Sequence, residues 1–187
     1  MTQGAGMPML VATSTDIEVC RRVAEEVAGD LYYDDRERGQ HLPFKALLLS
    51  QIGHLERLSD VADCGLYRVE FRELKAGPVE VVGLFPMIAH PDLSSFEADR
   101  HWRDVHGPLA LHHHAAMTRY VQLAVVEQIS GPAINGFALC CFASLSDLRE
   151  RFFSYPDSRE TIAADVARFA DVKHSPARLI ARLESFS

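Results

Sequence analysis

The sequence predicts an α+β protein built from units in which the order is strand, helix, strand, strand, helix, strand. Two observations predict this. Apolar runs of strand length alternate with stretches whose apolar residues recur every three or four positions, as on one face of a helix. Clusters of Gly, Pro, Asn and Ser separate these segments. Residues 79–186 follow the order clearly, and a βαββαβ unit of this kind is of ferredoxin-like type.

The first part of the chain, residues 1–75, can be assigned the same order in a degenerate form. Its predicted elements are a strand at 9–13, a helix from 17 to 29, strands at 31–33 and 44–52, one or two helical turns within 53–63, and a strand at 65–74. Thr13 and Asp16 have the spacing of a helix start. Gly29 is typical of the position that follows a last helical turn. Residues 34–41 are charged and predict a turn or loop.

The second part begins after Ala-Gly-Pro at residues 76–78, which predicts a boundary between residues 1–75 and 76–187. Its predicted elements are a strand at 79–89, a helix from Ser94 or Ser95, strands at 117–129 and 136–143, a helix from Ser144 that is interrupted at 155–157 and resumes over 158–170, and a strand at 178–186. The first of these helices is expected to bury one face, formed by Ala98, Trp102, Val105 and Leu109.

Two such units in one chain could pack sheet against sheet, as two copies of a single unit would. One chain could then form the whole assembly. The alternative is that two chains pair their C-terminal sheets, and a twofold interface is the common solution. We expect a homodimer, because the N-terminal half is degenerate.

Composition restricts the classes of partner. The chain has 187 residues, of which 48% are hydrophobic and 24% charged, and its net charge is −7. This charge argues against a nucleic acid or an anionic membrane as the main partner. Neither a signal peptide nor an apolar run long enough for a membrane helix is found, so a soluble cytoplasmic protein is expected. No nucleotide or flavin motif occurs, and no cofactor is expected.

The four cysteines have no spacing typical of a metal site, and buried thiols in a reducing compartment are the expectation. Cys140 and Cys141 are adjacent in a predicted strand, so they should point to opposite faces.

The stretch from residue 100 to 122 carries the most chemistry. Trp102 and His106 lie four residues apart and therefore share a helix face. Pro108 is expected to end or bend the helix, which would place His106 near a helix C-terminus, where the dipole favours imidazolium. A flat apolar wall beside a titratable group suits a cavity for an aromatic or lactone-like ligand. The alternatives are a histidine that only caps the helix and a tryptophan that only fills the core.

This stretch resembles the EthD-like family of the dimeric α/β-barrel superfamily. In that family a Trp and a spacer precede Val-His-Gly-Pro, and a Tyr-Val-Gln strand follows. Here the motif corresponds to Trp102, Val105 to Pro108, and Tyr120 to Gln122. The resemblance extends more loosely over residues 79–186, whereas residues 1–75 lack the motif, so a second complete site there is not expected.

The resemblance implies a barrel made from two four-stranded sheets and a cleft between sheet and helices. Relatives include a protein associated with ether degradation, muconolactone-isomerising enzymes, and dehydratases or cyclases of aromatic polyketides. The resemblance also implies a small-molecule enzyme of isomerase, lyase or oxidoreductase type with cofactor-independent acid/base chemistry. His106 is the expected general acid/base. The expected substrate-binding residues are apolar wall residues and a pair that orients the substrate: Trp102, Phe85, Tyr120 and Phe142, and Asp171 with His174.

Two alternatives to an enzyme stay open at this point: a non-catalytic carrier or sensor of an apolar metabolite, and an assembly protein whose sheet faces serve only oligomerisation. The run His112-His113-His114 invites a metal hypothesis. Neighbouring helical residues point about 100° apart, however, so three consecutive histidines do not converge on one ion. No metal site is expected.

Overall fold

The computed structural model describes residues 6–36 and 42–187. Its strands are β1 (Met7–Ser14), β2 (Asp30–Tyr33), β3 (Ala46–Gln51), β4 (Gly65–Lys75), β5 (Val81–Met87), β6 (Met117–Ser130), β7 (Gly136–Phe142) and β8 (Leu179–Ser185). Its α-helices are α1 (Ile17–Val27), α2 (Leu55–Ser59), α3 (Ser95–His101), α4 (Gly107–His113), α5 (Leu145–Glu150) and α6 (Ser158–Phe169). A 3-10 turn (Ile52–His54) precedes α2, and a π-helical turn (Trp102–His106) joins α3 to α4. The predicted α+β class and element order are confirmed, although residues 37–41 of the predicted charged loop lie outside the described ranges.

The strands form one closed barrel in the order β1-β3-β2-β8-β5-β7-β6-β4, and every pair in it is antiparallel. The pairs β2–β8 and β4–β6 join the first half of the chain to the second. A single chain therefore closes the barrel. A homodimer stays a prediction, but it is not needed to complete the sheet.

The two halves of the chain arrange their strands alike. The first half contributes β4-β1-β3-β2 and the second contributes β8-β5-β7-β6, which is the same order counted from each half's own first strand. Residues 76–80, with the predicted boundary at 76–78, form the connection between β4 and β5.

Side chains fill the barrel interior. The residues that point inward form one buried cluster from both halves, including Val11, Leu47, Val69, Val121, Phe137 and Leu179. A second cluster fills the space between the outer face of the first half and its helices α1 and α2. The remaining surface of the sheet is the outer face of the second half, which α3 to α6 cover, and the candidate site lies there.

The ends of α1 differ in detail from the prediction. Asp16 is the N-cap and accepts a hydrogen bond from the backbone N–H of Val19, whereas Thr13 belongs to β1. The left-handed residue at the C-terminus is Ala28 rather than Gly29. A Cβ at Gly29 would lie 2.9 Å from the carbonyl oxygen of Leu49, so close approach to β3 explains the glycine.

Cys140 and Cys141 point to opposite faces of β7, as predicted from the strand period. Cys141 belongs to the barrel interior, and Cys140 lies on the outer face. Both are buried free thiols. Within the described ranges, no helix has both the length and the apolarity that a bilayer span requires.

Candidate active site

A π-helical turn positions the histidine. The backbone N–H of Gly107 bonds to the carbonyl oxygen of Trp102, five residues earlier. Pro108 has no N–H and its ring would collide with the carbonyl four residues before it in a regular α-helix, and a wider turn relieves that collision. The amide Nε2 of the buried Gln122 also donates to the Trp102 carbonyl oxygen, at 3.0 Å. Hydrogen bonds to the Trp102 carbonyl, one from Gly107 in the helix and one from Gln122 on β6, therefore hold the turn in place.

The wider turn also sets which residues face the sheet. Buried residues follow at a constant spacing of four: Ala98, Trp102, His106, Ala110 and His114. In a regular α-helix that spacing would drift by about 40° per step, and the extra residue of the π-turn absorbs part of the drift. The predicted face was therefore wrong beyond Trp102. Val105 is 47% exposed, and Leu109 is only partly buried.

The expectation that His106 ends a helix was also wrong. The helix continues through Pro108 to His113, so His106 lies within a continuous helical segment. His106 is therefore not placed where the dipole of a helix C-terminus would favour imidazolium.

A cavity of about 520 Å³ lies between the outer face of the second half-barrel and the helices. Such a volume falls in the usual range for small-molecule sites. Its floor comes from β5, β6 and β7, its cover from α4, α5 and α6 and the segments that follow α5 and α6, and its lining is mostly apolar and aromatic.

His106 lines this cavity and is held by a carboxylate. Its Nδ1 lies 2.9 Å from Oδ2 of Asp165, which belongs to α6. The other carboxylate oxygen, Oδ1, lies 2.8 Å from Nε2 of His101. The ring of Phe169 packs against both imidazoles, with centroids 5.0 Å from His106 and 5.3 Å from His101. One buried acid therefore fixes two histidines, and an aromatic ring closes the cluster.

The charges of this cluster follow from burial and hydrogen bonding. Burial lowers the pKa of His106, and the hydrogen bond and charge of Asp165 offset this only in part. Burial alone would raise the pKa of Asp165, but the hydrogen bonds from His101 and His106 outweigh it and the net pKa is lowered. At neutral pH the pair is an aspartate and a neutral imidazole. Because Nδ1 donates to the carboxylate, the lone pair of His106 is on Nε2.

Tyr120 is a second residue of the cavity lining that carries a polar group. Its hydroxyl oxygen accepts from Nε1 of Trp102 and from Nε2 of Gln122, each at 3.3 Å. Burial, the largest influence, raises its pKa well above the usual range, so the phenol is neutral. With two donors on its oxygen, the hydroxyl proton is the part of Tyr120 left to serve an acceptor in the cavity.

Four of the seven residues expected at the site from the sequence line one cavity: His106, Trp102, Phe85 and Tyr120. Phe142 shares the outer face of β7 but is covered by Phe152, at a centroid distance of 5.6 Å, and does not line the cavity. Asp171 and His174 pair with each other at 2.8 Å outside the cavity lining, and His174 is largely exposed.

Sequence reasoning missed Asp165, which holds the histidine. A signal was present, since Ile162, Val166 and Phe169 recur at the spacing of one helix face and Asp165 falls between them. An acid on an apolar helix face needs a partner. Other side chains of the cavity lining, including Arg159, Phe153 and Arg178, were also missed.

The three consecutive histidines diverge. His112 stacks on Tyr155, Nδ1 of His113 hydrogen-bonds to Oγ of Ser158 at 2.8 Å, and Nδ1 of His114 donates to the Phe152 carbonyl oxygen at 2.6 Å. In the part of the chain that the structure describes, no group of three or more His, Cys, Asp or Glu is arranged to hold a metal ion.

Comparisons with solved structures find similar folds. An anthrone oxidase-like protein superimposes with a TM-score of 0.59 at 11% identity, covering 98% of this chain and 94% of the other. A proposed monooxygenase from Lactobacillus acidophilus NCFM gives 0.54 at 9% identity, with 97% of each chain covered. A proposed monooxygenase from Fusobacterium nucleatum subsp. nucleatum ATCC 25586 gives 0.53 at 10% identity, covering 96% and 95%. At these identities the likeness concerns the fold.

Comparison with curated proteins finds no match. The family model of the EthD domain, in contrast, matches residues 90–173, which include the Trp-to-Pro helix motif and the helix that carries Asp165. The resemblance seen in the sequence is thereby confirmed: residues 90–173 are similar to the EthD domain family.

Proposed function

We propose that this protein is a small-molecule enzyme in which His106 acts as general base and removes a proton from an apolar, aromatic, enolisable substrate. One observation carries the proposal. A neutral histidine, oriented by a buried aspartate, lines an apolar cavity of about 520 Å³. A side-chain base held in this way is the arrangement that general-base catalysis requires.

The proton transfer uses the two ring nitrogens differently. The Nε2 lone pair takes a proton from the acidic carbon of the substrate, and the electron pair of the broken C–H bond moves into the conjugated carbonyl to give an enolate. The imidazolium that forms is stabilised by the Asp165 carboxylate on Nδ1. Tyr120 lines the same cavity, and we assign to its hydroxyl the hydrogen bond to the enolate oxygen.

An enolate is the common first intermediate of the reaction types expected from the family. Reprotonation at another carbon gives isomerisation, and loss of a β-hydroxyl gives dehydration. Transfer of an electron to molecular oxygen, as co-substrate, begins an oxygenation. The similar folds of an anthrone oxidase-like protein and of proposed monooxygenases support the last course.

We also propose that residues 1–75 and 76–187 are two ferredoxin-like units, and that the site belongs to the second unit. The matching strand order of the two halves supports this division. Apolar side chains pack between the first half and its helices, whereas the described cavity lies in the second half, which supports placing the substrate there.

Deuterium exchange into anthrone under anaerobic conditions tests the base directly, because exchange needs proton abstraction and no oxidant. We expect the wild-type protein to accelerate exchange at the acidic carbon, and His106→Gln to lose about 10² to 10⁴-fold of that acceleration. His112→Gln is the matched control, since His112 is exposed on the same helix and does not line the cavity. Admitting oxygen then tests whether anthrone is oxidised, by following oxygen consumption.

The alternatives give different results. If anthrone quenches the fluorescence of Trp102 but its exchange is not accelerated, the protein is a carrier and the proposal is wrong. Equal exchange rates in wild type and His106→Gln would likewise overturn the assignment of the base.

A further inference from the structure

The cavity has a charge character opposite to that of the whole protein. The chain carries 26 acidic and 19 basic residues, yet three arginines line the cavity and no Asp or Glu does. The arginines are Arg149 at the end of α5, Arg159 at the start of α6, and Arg178 just before β8. An apolar cavity with cations around it favours an anionic ligand over a neutral one.

The guanidinium groups of Arg159 and Arg178 lie over aromatic rings and not against acids. Arg178 is 5.7 Å from the ring centre of Phe85, and Arg159 is 4.7 Å from that of Phe153. Among the described residues, neither of them nor Arg149 has a carboxylate oxygen within 4.0 Å. Ring contacts hold a guanidinium in place without using its N–H donors.

The stacked arginines share one aromatic cluster. Phe85 and Phe153 both lie beside Phe152, with ring centres 6.0 Å and 5.0 Å away, so Arg178 and Arg159 stack on members of the same cluster. The Asp165 carboxylate binds His106, and its charge repels a second anion there. A charged group of the ligand is therefore expected beside the arginines and not beside the histidine.

We infer that the substrate is an aromatic anion whose charged group, a carboxylate or an ionised phenol, binds Arg159 and Arg178 while its acidic carbon meets His106. The inference deepens the proposed function, since it names the class of substrate that the base acts on. All three arginines are exposed, and Arg149, which stacks on no described ring, adds to the positive potential at the rim.

Binding of 2-naphthoate and its neutral isostere 2-naphthamide tests this without any turnover. Affinities are measured by calorimetry, and quenching of Trp102, the single tryptophan of the chain, locates the ligand in the cavity. We expect 2-naphthoate to bind about 10- to 100-fold more tightly, as for a hydrogen bond to a charged group. Arg159→Met and Arg178→Met should each remove most of that preference. Arg168→Met, on the same helix but outside the cavity lining, should keep it.

Equal affinity for the two ligands in the wild-type protein would overturn the inference, and so would a preference that survives both arginine substitutions. The result for His106→Gln keeps this test apart from that of the proposed function. If that variant retains the naphthoate preference and also exchanges anthrone at the wild-type rate, the anion site stands and the base assignment fails. If the wild type exchanges anthrone but shows no naphthoate preference, the base stands and the anion site fails.

Discussion

Asp165→Asn tests the central feature of the site, which is that one buried carboxylate holds His106 in the tautomer that acts as a base. Asn has the same shape as Asp but no charge, and its amide offers one acceptor atom and one donor group where the carboxylate offers two acceptors. One of the two hydrogen bonds, to His101 or to His106, must therefore be lost or reversed. When the bond to His106 is reversed, Nδ1 carries the lone pair and Nε2 carries the proton, which is the wrong tautomer for a base facing the cavity.

The structure gives a magnitude for both stability and rate. Each hydrogen bond to the carboxylate is a bond to a charged group, worth about 1.5 to 3 kcal/mol, and the variant loses one of them. We expect the free energy of unfolding to fall by that amount. The acceleration of proton exchange should fall by about 10² to 10³-fold, because the base keeps its place but loses its orientation and the charge that stabilises the imidazolium.

The pH profile adds a readout that a loss of stability alone would not change. The hydrogen bond and charge of Asp165 raise the pKa of His106 against the effect of burial. Removing the charge lowers that pKa further, so the acid limb of the rate profile should move to lower pH while the plateau drops. The profile is measured by anthrone exchange, and the tautomer by nitrogen NMR of the imidazole. Asp157→Asn, an exposed acid just before α6, is the control. A folded Asp165→Asn protein with an unchanged rate, or with its acid limb at higher pH, would refute the reasoning.

Two further predictions concern the same cavity. Burial lowers the pKa of His114 from 6.5 to about 4, so the unfolded chain binds more protons than the folded protein as the pH falls through this window, and stability must drop. This loss of stability corresponds to about 3 kcal/mol. In His114→Asn, whose amide can still donate to the Phe152 carbonyl, urea unfolding at several pH values should show a smaller loss. An identical pH dependence of stability in both proteins would contradict this. A Cβ at Gly136 would lie 2.4 Å from the ring of Trp102, so Gly136→Ala should push the indole into the cavity and weaken naphthoate binding at least tenfold. Gly53→Ala, where a Cβ meets nothing within 4 Å, should leave binding unchanged, and a normal affinity in Gly136→Ala would show that the indole does not wall the site.

Much of the fold was accessible from the sequence because its signals are local. Apolar periodicity and turn-forming residues located all eight strands to within a few residues. The helix starts were equally local. Helices were expected to begin at Ser94 or Ser95 and at Ser144. In the structure, Ser94 accepts from the backbone N–H of Glu97, and Ser144 accepts from that of Asp147. Closure of the barrel depends on the pairs β2–β8 and β4–β6, which are far apart in the chain, and only the family resemblance indicated it.

The errors at the site arise from interactions between elements. The sequence placed Trp102 and His106 on one face correctly, since they lie one turn apart, but Pro108 was expected to end or bend the helix just after His106. A wider turn satisfied by Gly107 and Gln122 let the helix continue instead. Asp165 is 59 residues from His106, and no local pattern relates them.

The strand register explains the remaining differences among the expected wall residues. Phe85 and Phe142 both face outward, as a period of two allows, but Phe152 covers Phe142. Which outward residue lines a cavity depends on what lies above it, and the strand pattern carries no information on that.

The two halves differ in the side chains that their outer sheet faces present to the helices. Each half offers the outer face of four strands to its helices. In the first half, β3 presents Ala46 and Leu48 there, and the apolar face of α1 packs against them. In the second half, the equivalent strand β7 presents Gly136, Ala138 and Cys140, which are small, and then the larger Phe142. Gly136 admits the ring of Trp102, and Ala138 and Cys140 form part of the cavity floor. Small side chains on one strand, opposite a helix widened by a π-turn, thus open a pocket in an architecture that is otherwise close-packed.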